Sequence, residues 1–217
     1  MSLQTIIDNA TFININKRKV AASSISRSGH IKTADRGVGF YQFSVGMHAG
    51  LQYSTNRGVL EDLDTVDVIT ESNVSLNNNT NMNYLTAYQG DIEQAQLDNI
   101  TMVGSDASEI YINCSAATGS GTLFKKGDFI QPQGNTGTYR YPYQVTSDVA
   151  FSTGANVTVP VHRGVLPQDG VALTSGGIRV GNAVRFHLIA MQMPTYNVVP
   201  YDRIEFSGDF QLMEVIT

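Results

Sequence analysis

Cysteine is almost missing: Cys114 is alone in 217 residues, which excludes a disulfide framework and a cysteine-based zinc cluster. Tryptophan is missing altogether, and charged residues make up only 15% of the chain, against about 25% in an ordinary soluble domain. No apolar run approaches the ~20 residues that span a bilayer, so no membrane partner is implied. The opening segment does not read as a secretory signal, because its apolar residues are scattered and its bases, Lys17, Arg18 and Lys19, follow them. The sequence thus predicts a soluble protein made in a cytosol. A net charge of -5 and a pI near 5.2 speak against a dedicated DNA or RNA binder, which needs a basic footprint.

The signatures of catalysis are missing too. There is no Gly-x-Ser-x-Gly elbow, no Walker-type Gly-Lys-Ser/Thr and no His-Glu-x-x-His. Gly37 and Gly39 lack the third glycine and the following helix of a dinucleotide site. The acids of DLDTVD at 62–67 lack the glycine and the terminal glutamate of a calcium loop, and they read as a solvated face. His30, His48, His162 and His187 are isolated in sequence. His187 alternates with Arg185 on a polar strand face, and Cys114 shares a face with Ile110 and Ile112, as a small core residue would. No catalytic residue, metal or cofactor is expected.

What is present is small and polar. The chain holds 17 Ser, 19 Thr and 16 Asn, or 52 of 217 residues, beside 20 Gly, a composition that suits strands and turns. Six Asn-x-Ser/Thr sequons (Asn9, Asn73, Asn78, Asn99, Asn113, Asn156) are what chance gives in such a composition. The length fits one large domain, or a domain carrying a smaller inserted one.

Charge is segregated along the chain. Residues 1–57 hold seven bases (Lys17, Arg18, Lys19, Arg27, Lys32, Arg36, Arg57) and two acids, a net of 7 - 2 = +5. Residues 58–124 hold no base and ten acids: Glu61, Asp62, Asp64, Asp67, Glu71, Asp91, Glu93, Asp98, Asp106 and Glu109. Two such segments neutralise each other within one fold or dock between neighbouring copies, since charge complementarity sets register and partner.

Hydrophobic periodicity orders the rest. TFININ at 11–16 and FYQFSV at 40–45 alternate as strands. Residues 17–39 between them are basic and glycine-dotted without periodicity, which predicts a long loop or extended arm. In RGVLEDLDTVDVI, Leu60, Leu63 and Val66 recur every three residues, predicting a short helix near 58–68 capped by Asn56; a strand over Val66–Val74 is the alternative. The run NNNTNMN at 77–83 has the composition of a hairpin tip, and YLTAYQ at 84–89 reads as a strand. From 104 to 182 short strands recur every 10–20 residues or so, the rhythm of a small antiparallel barrel or sandwich. AVRFHLIAMQM and DRIEFSGDFQLMEVIT then give two long strands that need a sheet to join. The resulting expectation is a mainly β protein: a discontinuous host domain, 1–103 with 183–217, one short helix, and an inserted β module at 104–182. Tyr139, Tyr141 and Tyr143 in YRYPY would form a stacking face beside Arg140 or, more commonly, fill a small barrel.

The pattern YSTNRGVLEDLDTVD, LTAYQGD, KKGDFIQP, YPYQVTSDV and VPVHR resembles virion structural proteins of contractile-tailed phages, especially those infecting cyanobacteria and marine bacteria. The closing IEFSGDFQLMEVI is similar to the terminal strand of tail-tube-like and tail-hub proteins, and the likeness spans about 40–217. The resemblance implies a tail-tube-like β-sandwich or barrel with an inserted small barrel, of the tube-initiator or hub-adaptor kind. It implies a non-enzymatic ring of copies, six-fold, in the baseplate or tail tip of the virion, assembled in the bacterial host cytoplasm. Its other partners would be tube, hub and wedge proteins, with DNA passing through unbound. Heterologous contacts close such a ring. The basic arm 17–36 (Lys17, Arg18, Lys19, Arg27, Arg36) would meet Glu61, Asp62 and Asp64 of the next copy, while Asp91, Glu93 and Asp98 on an inner strand face would line the channel. The rival reading is a receptor- or glycan-binding tail-tip protein with YRYPY as its contact surface.

Overall fold

The structure, a computed structural model, describes residues 3–19, 21–25, 27–28, 31–35, 37–47, 51–64, 71–134, 139, 141–168 and 172–216. In chain order the first elements are α1 (Leu3–Asp8), β1 (Ala10–Arg18), β2 (Ala21–Ile25), β3 (Ile31–Asp35), β4 (Phe40–Met47), β5 (Leu51–Gln52), α2 (Tyr53–Asp64), β6 (Ser72–Val74) and α3 (Gln94–Leu97). Next come β7 (Thr101–Asp106), β8 (Glu109–Asn113), β9 (Thr122–Phe124), β10 (Phe129–Pro132), β11 (Tyr143–Gln144), β12 (Val149–Ala150), β13 (Asn156–Pro160) and β14 (Gly176–Val180). The chain closes with β15 (Phe186–Gln192), β16 (Tyr196–Val199), β17 (Arg203–Phe206) and β18 (Phe210–Glu214). The protein is mainly β, and its sheets are antiparallel.

A five-stranded sheet in the order β1-β4-β18-β15-β6 follows from period-two patterning. Tyr41, Phe43 and Val45 of β4, Phe186 and Leu188 of β15, and Phe210 and Leu212 of β18 all point into one core. Each large apolar side chain buried there contributes about 1.5–3 kcal/mol. Helix α1 closes this core with Leu3, Ile6 and Ile7, the spacing of one helical face. A six-stranded sheet in the order β11-β10-β14-β7-β8-β13, with the β9–β12 ribbon, surrounds a second core. Cys114 is fully buried in it beside Ile110 and Ile112, and burial pushes its thiol up. Tyr141 and Tyr143 are buried there as well, so these two tyrosines fill an interior, while Tyr139 is half-buried.

The two cores meet along β10, which is buried at every residue. Phe129 packs on Tyr41 and Phe186 of the first core at ring distances of 5.9 and 5.7 Å, while Ile130 belongs to the second. The second core also draws on Ile92, Leu97 and Ile100, upstream of the boundary expected at 104. Excising 104–182 therefore strands those three side chains and strips Phe129 from the first core. The expected outcome is a chain without a cooperative thermal transition, checked by calorimetry; a sharp transition would show that the host part folds without the rest.

Several local expectations are corrected. The stretch after Lys17 is not an irregular arm: β1 runs to Arg18, and β2 and β3 form a hairpin in register from Ala21↔Asp35 to Ile25↔Ile31. Its strands, AASSI and IKTAD, have too little apolar content to show a pattern, and the backbone ladder defines them. The helix begins at Tyr53, not near 58, and Asn56 lies inside it, its side-chain amide donating to the Gln52 carbonyl at 2.8 Å. The start is set from far away: Asp202 accepts the Ser54 N–H at 2.8 Å and its hydroxyl as well. The strand alternative over Val66–Val74 lies partly outside the described residues, with β6 at its end. The helix is also not alone, since α1 and α3 were not foreseen.

The asparagine run is no hairpin tip, and YLTAYQ is no strand; residues Asn83–Leu85 form a 3-10 turn. Asn79 is the reason. Its buried carboxamide donates to the carbonyls of Ile7 and Ala10 (2.6 and 2.9 Å) and accepts from the N–H groups of Asn81 and Met82 (3.0 Å each). The last strand is two: the chain breaks at Gly208, whose φ of 154° few L residues adopt. Strand β17 then serves a three-stranded sheet, β16-β17-β5, and β18 the five-stranded one. Among the described residues no helix is long and apolar enough to cross a membrane.

Candidate assembly site

The end of β1, the loop before β4 and the exit from β13 converge on a cavity of about 580 Å³ lined by Lys17, Arg18, Lys19, Gly37, Val38, Gly39, His162, Arg163 and Gly164. Its floor is a charge that the sheet register forces inward. Glu214 follows Phe210 and Leu212 at the buried positions of β18, where an unpaired carboxylate would be costly. Arg163 answers it with two parallel bonds, Nη1 to Oε2 at 2.6 Å and Nη2 to Oε1 at 2.7 Å. The same guanidinium donates to the carbonyls of Gly39 at 2.8 Å and Pro142 at 3.0 Å. The rings of Tyr41, Tyr141 and Tyr143 lie 5.2, 5.9 and 5.2 Å from its centre, a cation–π cage. Glu214 Oε2 also accepts the Tyr41 N–H at 3.0 Å.

Electrostatics follow from that arrangement. Burial works against the Arg163 charge, but the bonds and charge of Glu214 outweigh it and hold the guanidinium above its ordinary value. Burial pushes the Tyr143 phenol up to about 12 and raises Tyr41 well above the usual range. His162 is lowered to about 3, first by burial and then by the charges of Arg163 and Lys17. Its neutral ring accepts the Gln144 N–H on Nδ1 at 3.0 Å, which leaves the proton on Nε2. Two buried polar atoms of the cluster, Arg163 Nε and the Tyr41 hydroxyl, have no hydrogen-bond partner.

The rim is basic. Lys17, Arg18 and Lys19 are exposed; Lys17 Nζ donates to Gln144 Oε1, and Arg18 Nε to Gln42 Oε1 at 2.9 Å. Among the described residues no acid lines the cavity, and no ion pair links these three bases to the acidic tract. Arg27 stands apart, exposed at the turn of the β2–β3 hairpin. Arg36 lies outside the described residues, as do Asp67 and Arg140.

The acids are dispersed. Glu61 is exposed and pairs loosely with Arg57 one helical turn away, at 3.7 Å. Asp62 and Asp64 lie in the last turn of α2. Asp91, Glu93 and Asp98 are not on a strand face: Asp91 sits in a turn, Glu93 at the start of α3 and Asp98 at its end. The Thr122 N–H donates to Asp91 at 2.8 Å and holds that carboxyl below its usual range. Asp98 accepts from Gln94 at 2.8 Å. His187, expected on a polar face, bonds Asn73 Oδ1 at 3.2 Å and Glu71 at 3.0 Å.

Lys17, Arg18 and Lys19, expected as contact residues, line this cavity together, whereas Arg163 and Glu214 were not singled out in the sequence. The signal was there: in FQLME a glutamate stands at the third inward position of an alternating strand. No protein-family model matches the chain, and no curated protein is significantly similar to it.

Proposed function

We propose that the protein is a non-enzymatic structural component of a phage virion, whose copies form a ring in the baseplate or tail tip and join the tail tube to the hub. The observation that carries this reading is the β2–β3 hairpin. Among the described residues its strands pair only with each other, and Ile25 at its tip is 73% exposed. A lone two-stranded hairpin is marginally stable in water, so a neighbouring surface is needed to hold it. The basic rim beside β1 adds a second contact. Among the described residues it has no acidic partner, and Arg163, which lines the cavity, carries an unmet N–H. An acidic segment of the next copy, such as α2 with Glu61, Asp62 and Asp64, supplies the missing charge in a heterologous, ring-closing contact. The resemblance noted in the sequence sets the expected copy number at six and the neighbours as tube, hub and wedge proteins. Duplex DNA passes through such a ring without specific binding if the wall is neutral or acidic, because a basic wall would hold phosphate. With Asp91, Glu93 and Asp98 on a turn and a short helix, loops rather than a strand face would carry that lining.

Negative-stain imaging and native mass spectrometry of the purified chain test the reading. A closed ring is expected, together with at least tenfold weaker assembly when Lys17, Arg18 and Lys19 are all changed to Glu, with the monomer's circular dichroism retained. A protein that stays monomeric at all concentrations and salts would overturn it. So would a ring indifferent to the triple charge reversal, as far as the rim is concerned.

A further inference from the structure

A second cavity, of about 510 Å³, opens on another side of the seam between the two cores, and its wall is polar. From β14 and the turn that follows come Arg179, Asn182 and, immediately before the core residue Phe186 on β15, Arg185; from β6 and its following turn come Asn73, Asn77 and Asn78. Two guanidiniums share this wall without an acid among the lining residues, and among the described residues neither makes an ion pair. They feel each other: burial and then the charge of Arg185 lower Arg179. Asp8, bonded to the lining residue Gln4 at 2.7 Å, and Glu71, bonded to His187 at 3.0 Å, are already engaged.

The arrangement is built rather than accidental surface. Arg179 lies flat on the Tyr139 ring, 3.8 Å from its centroid. Gln131, fully buried, clasps the backbone of Arg185 by accepting its N–H at 2.8 Å and donating to its carbonyl at 2.6 Å. Gln4 does the same for Ser75, accepting its N–H at 2.8 Å and donating to its carbonyl at 2.7 Å. The Ser75 hydroxyl in turn donates to the Asn182 carbonyl at 3.2 Å, and Asn182 Oδ1 accepts from Thr86 at 2.8 Å. Both sides of the cavity are therefore fixed before any ligand arrives, which spares the ordering cost of binding.

We infer that this cavity is a binding site for an anionic sugar, with Arg179 and Arg185 taking its phosphate, sulfate or carboxylate group and the asparagine carboxamides taking its hydroxyls. Paired guanidiniums match an oxyanion in geometry and charge. Carboxamides both donate and accept, as sugar hydroxyls do. The volume is within the range of about 300–1,000 Å³ typical of small-molecule sites, and apart from Ala183 the lining residues are polar, which suits a hydroxylated ligand over an apolar one. The inference does not depend on ring formation, since every residue it uses lies in one copy.

Isothermal titration of the full chain with glucose 6-phosphate, glucuronate, inorganic phosphate and glucose tests it. Saturable binding of glucose 6-phosphate or glucuronate is expected, at least tenfold tighter than inorganic phosphate and than glucose. Arg179→Gln with Arg185→Gln should lower that affinity at least tenfold while the thermal transition is kept. Asn78→Ala, an exposed position, should weaken the anionic sugar a few-fold and leave inorganic phosphate unchanged. No saturable binding by any of the four, equal affinity for inorganic phosphate and the anionic sugars, or full affinity in the double arginine variant would each overturn the assignment.

Discussion

Replacing Glu214 by alanine is expected to destabilise the protein by about 3–5 kcal/mol, the usual loss when one partner of a buried ion pair is removed. The size comes from what is left behind. Arg163, 6% exposed, would keep its charge inside three tyrosine rings with only the carbonyls of Gly39 and Pro142 to receive its protons. The backbone N–H of Tyr41 would lose its acceptor as well. Against a typical total of about 5–15 kcal/mol, that is a large fraction, and the variant should unfold at markedly lower urea. The pair itself is a different matter, because desolvation consumes much of what the attraction returns. Arg163→Met combined with Glu214→Leu should therefore recover most of the loss. Circular dichroism against urea reads both variants in a chain without tryptophan. A Glu214→Ala variant within 1 kcal/mol of the parent (roughly the value of an exposed pair) would mean that water reaches the cluster.

That cluster also marks the limit of what the chain discloses without its fold. Strands whose alternation pairs large apolar residues with polar ones, such as FYQFSV and FHLIAM, were legible because burial follows a period of two. The β2–β3 hairpin was not, since AASSI and IKTAD have little apolar content to alternate. Nor was the start of α2 legible: its N–H groups are met by Asp202, 148 residues from Ser54 in sequence. Asn79 misled for a related reason. A run of asparagines reads as a solvated turn, yet one of them is buried and ties α1 and β1 to the loop through two hydrogen bonds while two more shape the loop itself. Of the residues around the first cavity, Lys17 to Lys19 stood out as consecutive bases, whereas Arg163 and Glu214 lie 51 positions apart and only strand register brings them together. The Arg179–Arg185 cavity was invisible for the same reason, because its two halves come from opposite sides of the seam.

The seam has a consequence for how the protein responds to its surroundings. Both cavities, the buried ion pair and β10 all lie where the two cores meet, so an occupant of either cavity touches segments that flank both. Binding that favours the joined arrangement stabilises the whole chain by mass action, and a neighbour docked on the basic rim would raise the unfolding midpoint of each copy it contacts.

Acid should loosen this seam through His162, the second large effect expected. Its ring is held neutral down to about pH 3, by burial first and then by Arg163 and Lys17, whereas in the unfolded chain it takes up a proton near its ordinary value of about 6.5. Above that value the ring is neutral in both states and pH leaves stability unchanged. Between about 6.5 and 3 the unfolded chain binds a proton that the folded one refuses, so stability falls by up to about 1.4 kcal/mol per pH unit. Asp128 acts in the opposite sense, since burial raises its carboxyl, and comparison with a His162 variant isolates the histidine. His162→Asn keeps an acceptor for the Gln144 N–H while removing the titrating ring and its contacts with Tyr41 and Tyr143. It should be less stable than the parent at pH 7.5 and lose the steeper part of the acid slope, so that the two curves converge towards pH 4. Urea midpoints measured at half-unit steps from pH 7.5 to 4 read the slope directly, and parallel curves for parent and variant would show that His162 is protonated in the folded protein.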